Sequence, residues 1–312
     1  MGRFIVRRLL ILPLALFLAN FGGFTFAYLA GPIQAMANPY SFQGHQVLYL
    51  LPSYVNYIKN AARLDFGMAG SQTVLQAIEK TALNSLGLIT LAIILSVILG
   101  ILVGIRAVHM QPARVSGLMT VAATVGLASP SFLIGVVLIS LSIAYVLWGP
   151  TQGPLVPFQG FGWDAHLVMP TLTLMIQPVV KIAQVTAAML TTELDKQYIT
   201  AALSFGHTLQ AVRWKHAFPN IISAVIQTIA GSVRWMVAEL IIIERLFDWP
   251  GIGKLISSTL ITTSFSPNYL DPALMAALIS VLAFFFLLVD FLATILVRSL
   301  DPRLRVHSGD GK

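Results

Sequence analysis

An all-α integral membrane protein with six transmembrane helices is the fold this sequence predicts, and three observations predict it. Of its 312 residues, 57% are hydrophobic and only 10% charged, with a mean hydropathy of +0.82. A water-soluble domain carries about a quarter charged residues, so this chain has too little polar surface for water. Six stretches, at residues 9–30, 86–108, 118–147, 167–190, 221–243 and 273–297, can each cross a bilayer, which takes about 20 helical residues. Finally, the Lys and Arg residues behind the pI of 9.8 flank these stretches and are not gathered in one solvated domain. That placement fits membrane topology and argues against a nucleic-acid partner.

The first stretch follows Arg3, Arg7 and Arg8 and could pass for a signal peptide. Its apolar run exceeds the usual core of about 7–15 residues, and it shows no convincing A-x-A cleavage site before Pro39, so it is read as a retained helix. Residues 31–80, with Tyr49, Tyr54, Tyr57 and Phe66, form an outer segment expected to hold short surface helices. In 86–108, Gly100 and Gly104 make a G-x-x-x-G pair that lets a neighbouring helix approach closely, a packing role. The 118–147 stretch contains Pro130, and 167–190 contains Pro170 and Pro178, each of which frees backbone groups and kinks a helix. Residues 149–165 are a Gly- and Pro-rich outer loop.

Between the fourth and fifth stretches lies a polar segment, 193–220. Ala201 and Ala202 favour helix, Gly206 permits a left-handed stop, and Pro219 can open the next helix. The expectation is helix, turn, short helix at the membrane surface. After 221–243, the 244–272 loop carries Trp249-Pro250-Gly251-Ile252-Gly253, a rigid-turn composition. The sixth stretch, 273–297, completes the set.

Charge sets the orientation. With the N-terminus inside, twelve Lys and Arg residues fall in inner segments and five (Lys59, Arg63, Lys80, Arg245, Lys254) in outer ones. The positive-inside bias therefore places both termini and the 193–220 segment in the cytoplasm.

Candidate chemistry is sparse. With no Cys there are no disulfides, thiolate metal sites or Cys nucleophiles. The six His residues show no ligand spacing, which gives no support to a metal site. Gly251-Ile252-Gly253-Lys254 imitates a P-loop, but Leu255 stands where Ser or Thr is needed and the glycine spacing is wrong. Four ionisable residues lie inside the stretches: Lys181, Arg234, Glu239 and Asp290. Charge at membrane depth marks a solute path or a structural ion pair, and both stay open here. Lys181, Arg234 and Glu239 are the candidates for lining a translocation pathway. Arg234 and Glu239 lie about 140° apart around a helix, so they need not pair with each other.

Ala201-Ala202, Gly206 and Pro219 keep the spacing of the E-A-A-x3-G-x9-I-x-L-P pattern, with Thr200 at the Glu position and His216 at the Ile position. The segment resembles the coupling loop of ABC-importer permeases. An ordered series of further stretches resembles the dipeptide/oligopeptide/nickel branch of that family. They are Arg63-Leu64-Asp65-Phe66-Gly67, Ser129-Pro130-Ser131-Phe132, His166-Leu167-Val168-Met169-Pro170-Thr171-Leu172, Glu244 through Gly253, and Leu300 through Arg305. The sequence departs from the family after the first helix, at Leu29-Ala30-Gly31-Pro32, and beside the coupling Gly, where Leu203 and Phe205 replace basic residues.

The resemblance implies a type I ABC-importer permease fold in one permease domain in a prokaryotic plasma (inner) membrane. It implies a non-catalytic subunit that imports di- or oligopeptides by alternating access. Implied partners are a homologous second permease, two cytoplasmic ATPases, an extracytoplasmic solute-binding protein and membrane lipid. No cofactor is expected on this chain; ATP and Mg belong to the ATPases. Ala201, Ala202, Gly206, His216 and Pro219 are the expected ATPase-coupling residues. Glu244, Trp249, Pro250, Gly251 and Gly253 are expected to meet the binding protein. Import of a nickel complex, or an ion-coupled secondary transporter, are the alternatives, although no internal repeat supports the latter. An intramembrane enzyme lacks any paired nucleophile and base.

Overall fold

Within hydrocarbon every backbone N–H and C=O must be satisfied inside the segment that carries it, and long helices do this. The computed structural model describes residues 2–37, 49–69, 71–110, 113–149, 153–260 and 270–300. Residues 38–48 of the outer segment and the 301–305 part of the closing motif lie outside them.

The helices are α1 (Gly2–Ala37), α2 (Leu50–Ala61), α3 (Val74–Arg106), α4 (Gly117–Ala128), α5 (Ser131–Trp148) and α6 (Val168–Leu194). Then come α7 (Gln197–Ser204), α8 (Leu209–Ala211), α9 (Phe218–Leu246), α10 (Ile252–Leu260) and α11 (Pro272–Leu300). The described residues also include a 3-10 turn at Ala165–Leu167 and two short antiparallel hairpins: β1 (Met68–Ala69) with β2 (Gln72–Thr73), and β3 (Val108–Met110) with β4 (Ala113–Val115). Among the described residues six helical stretches are long and apolar enough to cross a membrane: Leu10–Gly31, Val74–Arg106, Ser131–Trp148, Ala165–Leu194, Leu209–Leu246 and Pro272–Val297.

Two expectations change. The 118–147 stretch is two helices, α4 and α5, parted at Ser129–Pro130. A proline disfavours helical backbone at the residue before it, and Ser129 is accordingly extended. The helix of the fifth span starts at Leu209, ahead of Pro219, and runs through a π-helical turn at Val212–Ala217 straight into α9. Pro219 thus follows a widened turn and does not open a helix. Its ring would crowd the carbonyl four residues back, and a π-turn relieves that crowding without breaking the helix.

The chain divides into two compact units. The first comprises Met1–Gly87, Gln159–Phe161 and Leu240–Leu288. Its core includes an aromatic cluster of Phe24, Tyr28, Tyr54 and Tyr57, with Phe24 5.1 Å from Tyr54 and 5.3 Å from Tyr57 between ring centroids. Asn20 ties the cluster's polar edge, donating to Tyr57 and Ser280 and accepting from Tyr54. Val74, Ile252, Ile256, Leu274 and Leu278 make a second core.

The second unit comprises Leu88–Phe158, Gly162–Glu239 and Val289–Lys312. Here α3 and α6 touch at the G-x-x-x-G pair. A Cβ on Gly100 would stand 2.8 Å from the Ile182 side chain, and one on Gly104 would stand 2.6 Å from the Ala183 carbonyl. No side chain fits at either position, as a close-packing role requires. Below that contact Ile105, Ile182, Leu190, Ile199, Val212, Ile221 and Val225 form a continuous core.

Candidate functional site

Three places hold the residues singled out by sequence: the α7 segment, the charges of α6, α9 and α11, and the loop after α9.

In the α7 segment, Ile199 points into the core of the second unit while Thr200, Ala201, Ser204 and Phe205 face outward. Phe205, at 85% exposure, is the most prominent of them. The helix ends in a Schellman turn: His207 N–H donates to the Ala202 carbonyl (3.2 Å) and Gly206 N–H to that of Leu203 (2.9 Å). Gly206 supplies the left-handed backbone this turn needs, at φ +84°, with open space around its Cα. Ala202 is half-buried against the core, whereas Ala201 is exposed. Pro219 is exposed; the His216 ring lies edge-on to His207 at 5.3 Å.

Sequence reasoning bounded this segment at Glu193 and Asn220 without seeing that they touch. Glu193, 6% exposed, accepts from Lys196 Nζ (2.5 Å), the Tyr198 hydroxyl (2.7 Å) and Asn220 Nδ2 (3.0 Å). Asn220 also donates to the His216 carbonyl at 3.2 Å. The carboxylate therefore binds the end of α6, the start of α7 and the start of α9 together. Burial, and then the bond to Glu193, push the Tyr198 phenol up to about 12, so it remains a donor at any physiological pH. Acidic and amide residues at the edges of two apolar stretches were the available signal.

Within the second unit, Arg234 Nη1 lies 3.1 Å from Asp290 Oδ1, which joins α9 to α11. The guanidinium expected to face solute is held in an ion pair. Glu239 instead shares the Trp235 indole N–H with Gln177: Nε1 stands 2.8 Å from Glu239 Oε1 and 2.9 Å from Gln177 Oε1. Lys181 is exposed on α6 and is not brought together with Arg234 or Glu239 by any ion pair or hydrogen bond among the described residues.

The loop after α9 corrects an expectation. Glu244 and Trp249 are both 0% exposed, and Gly251 and Gly253 are buried too, so these side chains cannot offer a contact surface to a binding protein; Pro250 is half-buried. Glu244 is an anchor. It accepts from Ser85 Oγ (2.6 Å), Gly253 N–H (2.7 Å) and Lys254 N–H (3.2 Å), which caps the start of α10. Ser85 Oγ in turn accepts from Ile252 N–H, and Asn84 brackets the turn by donating to the Pro250 carbonyl and accepting from the Trp249 indole. Asp248 takes a left-handed backbone, φ +58°, and its carboxylate pairs with Lys254 at 2.7 Å.

The model of the family described as "Binding-protein-dependent transport system inner membrane component" matches residues 96–306. A probable peptide ABC transporter permease of Sinorhizobium fredii is 27% identical over 255 residues, covering 81% of this chain and 79% of that one. An oligopeptide transport system permease of Bacillus subtilis is 26% identical over 262 residues, 81% of each chain. A glutathione transport system permease of Escherichia coli K12 is 27% identical over 323 aligned positions, covering 98% of this chain and 99% of that one.

Proposed function

We infer the role of this chain from a premise that the family match supplies: it belongs to the binding-protein-dependent transport system inner membrane components. It is a multi-pass inner-membrane permease subunit of an importer that works with an ATPase and a binding protein.

The solute we propose is a di- or oligopeptide, supported by the peptide, oligopeptide and glutathione permeases it resembles. The assembly we propose pairs this chain with a second homologous permease, two cytoplasmic ATPases that carry ATP and Mg, and one extracytoplasmic binding protein. Both termini and α7 face the cytoplasm, as the positive-inside bias argues. The chain itself is non-catalytic.

Coupling through α7 rests on one observation above all. The helix exposes Ala201, Ser204 and Phe205 on one side while Ile199 and the Glu193 cluster fix it to α6 and α9 on the other. A push on the exposed face is then delivered to two membrane helices as rigid-body movement, the form of motion alternating access requires. The test is reconstitution of the chain with its partner subunits in vesicles. ATP-dependent accumulation of a labelled dipeptide is expected, and accumulation that continues without ATP or without the ATPases would overturn the proposal.

A further inference from the structure

Resting on the peptide reading above, we propose that Ser131, Gln177, Trp235 and Glu239 form a seat for a primary ammonium group, the free amino terminus of the transported peptide.

The observation behind it is a carboxylate without a cationic partner in one polar cluster of the second unit. The single indole N–H of Trp235 is shared between Gln177 Oε1 and Glu239 Oε1. Gln177 directs its own amide hydrogen away, to the Ser129 carbonyl at 2.5 Å. Ser131, 1% exposed, faces the Glu239 carboxylate, yet neither its Oγ nor Glu239 Oε2 completes a well-directed hydrogen bond. Among the described residues no Lys or Arg forms a salt bridge with Glu239. The Ser131 hydroxyl can turn toward Glu239, but it is neutral, and a carboxylate at membrane depth with no cation beside it costs a few kcal/mol, so the cluster is arranged for a group that brings positive charge.

An ammonium fits that need. It carries three N–H donors and no acceptor, and it strengthens each bond by its charge. Glu239 Oε2, Ser131 Oγ and Gln177 Oε1 offer three acceptors, and the half-exposed Trp235 ring offers a face for the cation. The backbone geometry supports the same reading. Ser131 opens α5 just after the Ser129–Pro130 break, where the backbone turns between two helices and its hydroxyl is placed at the start of the span. The nearby Arg234, by contrast, already has a carboxylate partner in Asp290.

The test uses the reconstituted complex with a labelled dipeptide and its N-acetyl form, each measured in wild type, Glu239→Gln and Trp235→Phe. Because every variant works with the same binding protein, each variant's rate is divided by wild type for the same peptide, which cancels the binding protein's own preference. Glu239→Gln should lower uptake of the free-amine peptide about tenfold while leaving the acetylated peptide within about twofold. Trp235→Phe, which keeps a π face and loses the N–H, should show the same bias at smaller size. Equal losses for both peptides, unchanged rates for both, or failure of Glu239→Gln to co-purify with its partners would each overturn the ammonium seat. If wild type imports neither peptide, the peptide proposal falls and this inference falls with it.

Discussion

α7 and α9 both end on a left-handed residue whose successor reaches back five residues, one end in the open and one packed shut. At α7 the left-handed position is Gly206, and His207 N–H reaches back to the Ala202 carbonyl. At α9 it is Asp248, and Trp249 N–H reaches back to the Glu244 carbonyl at 2.8 Å. After that the two regions diverge. The residue next to the first turn, Phe205, is 85% exposed, whereas Trp249 in the second is 0% exposed and packs against Phe161 with its ring tilted by 58° at 4.9 Å. Both regions rely on a buried glutamate, but in different ways. Glu193 is met by three side chains, whose rotamers can change, while Glu244 is met by Ser85 and two backbone N–H groups, which cannot move without moving α10. A segment that transmits force needs an exposed face on a firm but releasable mount. A segment that keeps a loop in shape needs the reverse.

The largest effect should come from the closed region. Glu244→Ala leaves the Ser85 hydroxyl and two buried N–H groups without their acceptor, a loss of about 3 kcal/mol or more. Gly251→Ala places a Cβ against the Glu244 carboxylate. Both variants should show sharply reduced membrane abundance and an early thermal transition in detergent. Normal abundance of either would break the contrast.

Next comes Glu193→Ala, which removes the acceptor of Lys196, Tyr198 and Asn220. The expected loss is about 1–3 kcal/mol, and it is local. Hydrogen exchange should speed up across α7 and leave α10 at its wild-type rate; equal acceleration in both would show that the mounts are not independent.

Tyr198→Phe is milder, at most about 1 kcal/mol, because Lys196 and Asn220 still hold Glu193. Its hydroxyl also fixes a pH dependence. The folded pKa is about 12 against an ordinary 10, so the contribution is constant below pH 10 and is lost as pH rises toward 12. The phenolate absorbance difference between wild type and Tyr198→Phe should have its midpoint near 12; a midpoint at 10 would mean the phenol is neither buried nor bonded to Glu193.

The smallest effect on stability belongs to Phe205→Ala, within about 0.5 kcal/mol for so exposed a side chain. It should nevertheless weaken co-purification of the ATPase. Unchanged co-purification would remove Phe205 from the docking face.

Much of this was legible in the sequence because membrane physics leaves strong marks. Long apolar runs gave the helices, and Gly206 gave the turn, since few other residues accept its φ. Pro130 was visible as an interruption, but its consequence, two helices in place of one, depends on Ser129 going extended. Less legible were the roles of polar residues. Glu244 and Trp249 stand in an outer-loop pattern that reads as surface, and only burial shows them facing inward. Arg234 and Asp290 lie 56 residues apart, so nothing local announced their pairing. The Glu193, Tyr198 and Asn220 cluster was hidden for the same reason: its contacts cross from one helix to the next.

The central claim is that α7 transmits force by its geometry and not by its contribution to folding. Gly206→Val tests it most directly. A Cβ at this position meets no neighbouring atom, yet it strains a backbone at φ +84° by about 1 kcal/mol or more and so moves the helix end. Uptake and membrane abundance should be measured together in the reconstituted complex. The account predicts normal abundance with ATP-dependent peptide uptake abolished; wild-type uptake by this variant would contradict it.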